Sequence, residues 1–276
     1  MNPRMTLPRP HRHFDFRLMA LLALALVVAG SFLAIQSFHG ARTSSQKASP
    51  HRKHSQPLAV QQTTPVQWAA TFGPISTTSG TLEAHNWSGH IFTGPTFTAV
   101  SGQWVVPTVQ SSATGPYSAT WLGIDGVNNT SLIQAGTAQD TSNGTTTYDD
   151  WYEILPANET LIASVSPGDH IQASITQDSP GTWTVAITDI TSGQSFSQAF
   201  AYNGSGASAE WIEEAPAVSG QPSVLANFGT AQFTGMAFSS TNPSSLVDTT
   251  VIMIGGSGNT IASSGAVAGN SFTITG

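Results

Sequence analysis

Between Ile171 and Phe200 apolar side chains recur at every second position. Ile171, Ala173 and Ile175 alternate with polar residues, and Asp178-Ser-Pro-Gly181 then turns the chain. Trp183, Val185 and Ile187 alternate again, and Thr191-Ser-Gly193 turns the chain once more before Phe196 to Phe200. A period of two sets one face of a strand against a core and the other toward solvent, so the stretch predicts a three-strand meander. A helix would need apolar recurrence at three and four, and from Thr81 onward no convincing amphipathic helix is found. Further strand signals lie at His90–Phe92, Phe97–Val106, Thr120–Gly123, Tyr148–Leu155, Val224–Phe228, Gln232–Phe238 and Val251–Ile254. Many short strands joined by Gly- and Pro-bearing turns predict one antiparallel sandwich over residues 81–276, long enough to bury a substantial core. No repeat of fixed period is seen.

The N-terminal third reads differently. Residues 1–17 hold four arginines and two histidines, and Leu18 to Ile35 is then uninterrupted apolar or small. A positive segment followed by a long apolar one predicts an export signal over residues 1–35, with a retained membrane anchor through 18–35 as the rival. Either way the positive-inside rule sends the chain beyond Gln36 out of the cytoplasm, secreted or held at the membrane. Residues 36–80 are rich in Ser, Thr, Gln and Pro, carry the basic patch His51-Arg-Lys-His54, and predict a flexible linker or propeptide. That segment could lie across an acidic domain and mask it, or serve as a plain spacer.

Charge and chemistry narrow the function. All eight Lys and Arg lie at or before Lys53, while residues 81–276 contain fourteen Asp and Glu, a formal charge of −14. Ion pairs between side chains are nearly impossible in such a domain, and nucleic acid would be repelled. An acidic working environment suits it, although low-charge domains rich in Ser, Thr and Gly are also common among secreted β proteins. Cysteine is absent, which removes disulfides, thiol nucleophiles and Cys-ligated zinc. His85 and His90 stand five apart with no third ligand in view, no GxSxG elbow appears, and the missing lysine removes Ser–Lys dyads. Carboxylates, amides and aromatics remain, an inventory suited to acid–base hydrolysis of a peptide or glycosidic bond, or to stacking on sugars.

Ser208-Ala-Glu-Trp-Ile-Glu-Glu-Ala-Pro216 gathers three of those carboxylates. On a strand Glu210 and Ile212 share one face, and Trp211 and Glu213 the other. One glutamate is then expected on a packed wall; the plainer alternative is an edge strand with solvated acids.

Several stretches together resemble the glutamic peptidases, or eqolisins, here in a cysteine-free form. Asn86-Trp-Ser-Gly89 with Phe97-Thr-Ala-Val-Ser-Gly-Gln-Trp-Val-Val-Pro107 is similar to that family's opening strands. Trp121-Leu-Gly-Ile-Asp-Gly126, Leu132-Ile-Gln-Ala-Gly136, Tyr148-Asp-Asp-Trp-Tyr-Glu153 and Ala209-Glu-Trp-Ile-Glu-Glu214 come next, in family order. Phe228-Gly229 before Phe233 fits the next strand. The resemblance implies an all-β fold, a two-sheet antiparallel β-sandwich of the concanavalin A-like lectin/glucanase type. It also implies an acid-acting endopeptidase, active on polypeptides as a monomer, without a cofactor or metal. Its catalytic pair falls on Gln134 and Glu210, and Trp121, Asp125, Trp151 and Glu153 match residues lining or supporting the cleft. Trp121 and Trp151 could equally be core tryptophans. The chain departs from the family at Ile154-Leu-Pro156, where a second aromatic pair is common, which bears on subsite shape. The rival class is a carbohydrate-active sandwich, a glycoside hydrolase or lectin-like module, with an anchored adhesive domain as the plainest reading; Gln134, which a glycosidase does not need, separates them.

Overall fold

The computed structural model describes residues 52–53 and 80–276, apart from 95, 111–115, 128, 219–220 and 241–245. The expected export segment, and the linker other than Arg52, Lys53 and Gly80, lie outside the described residues.

One hydrogen-bonded sheet runs through nearly the whole of the described chain and folds over into two facing layers. The first layer holds β2 (Gly80–Ala84), β3 (Trp87–Thr93), β5 (Tyr117–Asp125), β6 (Leu132–Ser142), β7 (Thr145–Ile154), β8 (Thr160–Ser164), β12 (Ser208–Glu214) and β16 (Val247–Ile254). Its order is β16-β3-β12-β5-β6-β7-β8, antiparallel throughout, with β2 added to β16 in parallel. The second layer holds β4 (Phe97–Val105), β9 (His170–Ser179), β10 (Thr182–Asp189), β11 (Ser195–Ala201), β15 (Thr230–Ser240) and β18 (Phe272–Thr275), in the order β11-β10-β9-β4-β15-β18. β17 (Thr260–Ser264) pairs with both β16 and β18 and carries the sheet from one layer to the other. A separate small sheet joins β1 (Arg52–Lys53), β13 (Ala217–Val218) and β14 (Gln221–Pro222), so Arg52 and Lys53 pair antiparallel with the chain just beyond β12.

The expected meander is β9, β10 and β11. β10 buries every second residue, because one of its faces meets the core and the other meets solvent. Ser208–Glu214 behaves otherwise: it is a central strand, buried on both faces at every position. Two apolar clusters cause this. One fills the space between the layers and includes Trp104, Trp183 and Trp211. The other lies on the opposite face of the first layer and includes Trp87, Ile91, Trp121, Leu132, Trp151 and Ile212. Val224–Phe228 does not form the expected strand. Its Leu225 and Asn227 make isolated bridges to Tyr117 and Gln110, and Phe228 N donates back to Ala226 O, so the segment turns instead of extending.

One close contact between a histidine and a carboxylate lies within the domain, an ion pair only when the ring is protonated. His90 is buried on β3 with Nδ1 2.8 Å from Asp248 Oδ1 and Nε2 2.9 Å from Gly265 O. The residue thereby ties β3 to β16 and to the turn after β17.

Candidate active site

Register places the site. Glu210 on β12 is paired with Gly123 on β5, Gly123 with Gln134 on β6, and Gln134 with Glu153 on β7. Directly paired residues of antiparallel strands point to the same face, so these four form one row across four strands. The face is the outer one of the first layer, opposite the inter-layer core. Strands in a sheet lie about 4.8 Å apart, which sets the Glu210 and Gln134 backbones about 10 Å from each other. The position between them has no side chain. A Cβ on Gly123 would stand 3.0 Å from Glu210 Oε1, so the carboxylate leans into the gap that glycine leaves.

All four members of the row are buried. Gln134 Nε2 donates to Glu153 Oε2 at 2.7 Å, which fixes which end of the amide faces β7. Gln134 Oε1 and both Glu210 oxygens are buried without a hydrogen-bond partner. Three orphaned acceptors on one row are the unusual feature of this face, because buried polar atoms are ordinarily paired.

The next row of the face carries Ile212, Trp121, Gly136 and Trp151, paired in that order across β12, β5, β6 and β7. A Cβ on Gly136 would come within 2.4 Å of the Trp121 Cβ, so that glycine makes room between the two indoles. Trp121 Nε1 donates to Glu214 Oε2 at 3.0 Å, Asn86 Nδ2 reaches Glu214 Oε1 at 3.4 Å, and Trp87 packs edge-on against Trp121 at 5.0 Å. On the other side of the Glu210–Glu153 row Asp125 ends β5 in a left-handed conformation, φ +72°. Its carboxylate accepts from Tyr202 Oη at 2.7 Å, Asn129 Nδ2 at 2.7 Å, Ser205 Oγ at 3.2 Å, Gly206 N at 3.0 Å and Ala207 N at 2.7 Å. Asp125 therefore fastens the three residues that lead into β12.

The electrostatics are set by burial. Burial pushes the Glu210 carboxyl well above the usual carboxylate range; the Ser208 hydroxyl opposes the shift and the charge of Asp125 adds to it. Burial also pushes up the Tyr202 phenol, with Asp125 contributing. Glu213 points the other way, into the inter-layer core, where it accepts from Thr120 Oγ1 at 2.6 Å. Burial raises it to about 7 against the pull of the Thr120 and Ser118 hydroxyls.

The six residues singled out from the sequence thus share one region. Gln134, Glu210 and Glu153 share the row, Trp121 and Trp151 flank it, and Asp125 anchors the lead into β12. The two tryptophans are buried members of the outer-face cluster and border the row as well. The alternative of an edge strand with solvated acids is overturned, since Glu210, Glu213 and Glu214 are all fully buried. Sequence reasoning missed Gly123, Ser208, Tyr202 and Asn129. Gly123 lies inside the Trp121–Gly126 motif, but only the cross-strand register shows what its missing side chain does. Among the described residues no group of three or more His, Asp or Glu side chains is arranged to hold a metal.

The chain is similar to known proteins. Aspergillopepsin-2 of Aspergillus niger is 27% identical over 287 residues, covering 92% of this chain and 99% of that protein. Scytalidopepsin B of Scytalidium lignicola is 33% identical over 153 residues, 53% of this chain and 57% of that one. Among solved structures, scytalido-glutamic peptidase with a transition-state analogue inhibitor superposes with a TM-score of 0.60 at 26% identity, covering 69% of this chain and 98% of that chain. An eqolisin, SCP-B, in complex with the tripeptide Ala-Ile-His gives 0.56 at 25% identity over the same shares. The sequence model of the Peptidase A4 family matches residues 85–276, a span that contains every residue of the row and its flanks. The chain belongs to that family, the glutamic peptidases or eqolisins.

Proposed function

We propose that this peptidase is an acid-acting endopeptidase that cleaves polypeptides with Glu210 and Gln134 as its dyad, in a sandwich of the concanavalin A-like type. The observation that supports this reading is the row itself: a carboxylate and an amide, both buried, facing each other across a glycine. The orphaned acceptors, Glu210 Oε1 and Oε2 and Gln134 Oε1, suit a water molecule that donates to both side chains. As the water oxygen bonds to the scissile carbonyl carbon, Glu210 takes one of its protons. The carbonyl oxygen becomes an oxyanion and receives the second N–H of the Gln134 amide, whose first is held by Glu153. Glu210, now protonated, gives its proton to the nitrogen as the C–N bond breaks. Glutamine does not titrate, so the oxyanion donor persists at any acidity.

The carbohydrate-active reading is not favoured. It would need two carboxyl groups flanking a sugar, whereas Gln134 stands between Glu210 and Glu153 and donates to the latter. The test is hydrolysis of a denatured protein at acid and neutral pH. Glu210→Gln keeps the shape and removes both proton-transfer roles, so activity should fall by several orders of magnitude with the fold intact. Gln134→Glu replaces the donor by a group that repels the oxyanion once ionised. Losing one such donor costs roughly a hundred- to a thousandfold, and the loss should deepen as pH rises. Proteolysis that survives Glu210→Gln would end this reading.

A further inference from the structure

Glu210 sits in surroundings that work against its role as a base. A general base must be ionised to accept a proton, and Glu210 is fully buried. The titratable groups facing it are all acidic or phenolic. They are Asp125 at the end of β5, Glu153 in the same row on β7, Glu214 on the same face of its own strand, and Tyr202 beside Asp125. β3 presents the apolar Ile91 and β6 the neutral Gln134. No cation compensates: among the described residues past Lys53 there is no Lys or Arg, and His90 lies on the opposite face of β3. Something else must stabilise the carboxylate at acid pH.

One group is placed to do so. Ser208 begins β12, two residues before Glu210, so both side chains project from the same face of the strand. Its hydroxyl is fully buried and completes no hydrogen bond of good geometry, yet it stands near enough to Glu210 to favour the ionised carboxylate. A buried donor without an acceptor therefore stands beside a carboxylate without a donor, and each lacks what the other supplies. The three preceding residues, Ser205, Gly206 and Ala207, are all held by Asp125, which fixes where the hydroxyl stands.

We propose that Ser208 is a positioning residue for the reaction: its hydroxyl donates to the Glu210 carboxylate when water is bound and keeps that carboxylate a proton acceptor. The inference rests on the dyad reading above, in which Glu210 is the base. A hydroxyl donor of this kind favours the ionised form of Glu210 in the way burial opposes it. Asp125 contributes at one remove, by holding the loop.

The experiment is the pH profile of kcat/KM for the full chain, with wild type, Ser208→Ala, Ser208→Thr and Glu210→Gln compared on one peptide. The acid limb reports the ionisation of the base in the free enzyme. Removing a hydrogen bond to a charged group should move that limb upward by about one pH unit in Ser208→Ala. Activity at a pH below both limbs should fall about tenfold, with KM and the plateau nearly unchanged. Ser208→Thr keeps the hydroxyl and should restore the wild-type limb. If Ser208→Ala does not fold at pH 4, the near-isosteric Ser208→Cys, a poor donor, carries the same expectation. A Ser208→Ala profile that superposes on the wild type, or a uniform loss without displacement of the limb, overturns the role of Ser208 and leaves the dyad standing. Full activity in Glu210→Gln overturns both.

Discussion

A methyl group at position 123 would stand 2.9 Å from the Trp121 ring and 3.0 Å from Glu210 Oε1. Both neighbours are fully buried, so any adjustment has to be made within the packed face. Gly123→Ala should therefore push the carboxylate off the row and away from Gln134. Overpacking of this kind costs about 1–3 kcal/mol of stability, which a domain of this size can survive. A displacement of about 1 Å in a reacting group, by contrast, costs about a hundredfold in rate. The expected outcome is a folded variant whose kcat/KM falls about a hundredfold, measured beside its thermal melt. Wild-type kcat/KM in folded Gly123→Ala would show that the spacing across the glycine does not matter.

At the scale of the element, β12 is placed by its neighbours on both sides and by its approach. β3 and β5 hydrogen-bond along its length, and Asp125 from the end of β5 gathers the backbone N–H groups of Gly206 and Ala207 just ahead of it. Replacing Asp125 by Ala strands those donors and leaves the Tyr202 hydroxyl only the more distant Ile124 O at 3.3 Å. Each buried group left unpaired costs about 1–3 kcal/mol, and several are lost at once, so Asp125→Ala should cost roughly 3 kcal/mol or more. The loss should show in denaturant titration as a lower midpoint. Activity should fall further than the folded fraction does, since Ser208 and Glu210 come directly after the loosened segment. A variant with an unchanged midpoint would mean that Asp125 does not hold the approach to β12.

For the whole molecule the question is how a domain with −14 formal charge between residues 81 and 276 responds to pH. Mutual repulsion among carboxylates would by itself favour acid, but the structure gives burial as the larger cause. Burial raises Glu213 to about 7 and Asp150 to about 6, and pushes Glu210 up as well. A carboxyl group whose folded value lies above its unfolded one binds more protons in the folded state. Its contribution is intact below the unfolded value and is lost as pH climbs toward the folded one. For Glu213 that window runs from 4.5 to about 7, and the loss across it amounts to about 3 kcal/mol. Asp189 runs the other way: burial raises it, but the Ser192 hydroxyl and the Ser192 and Thr191 amides outweigh burial and hold it low. Its contribution is present at neutral pH and lost only on strong acidification. The domain should therefore melt higher near pH 4 than near pH 8, and Glu213→Gln should shrink the difference. An equal or higher melting temperature at pH 8 in the wild type would refute this balance.

The sequence by itself determined the class of fold wherever a strand has one wet face. β9 and β10 announce themselves by alternation because solvent lies on one side, and Asn143-Gly144 supplies the positive φ of a tight hairpin between β6 and β7. It also determined which residues of 208–214 share a face, since that depends on the period of a strand alone. Strands buried on both faces give no such alternation, which is why β12 could be read as an edge and why β6 is legible mainly through its resemblance to a family. The chain's own pattern could not place Gln134 opposite Gly123, or Gly123 opposite Glu210. Those pairings join residues far apart in sequence, and a slip of one position would turn every side chain to the other face. Whether an acid is solvated or enclosed is likewise a property of what packs over it. Tertiary structure alone therefore decided that all three glutamates are buried and that Glu153 holds the amide.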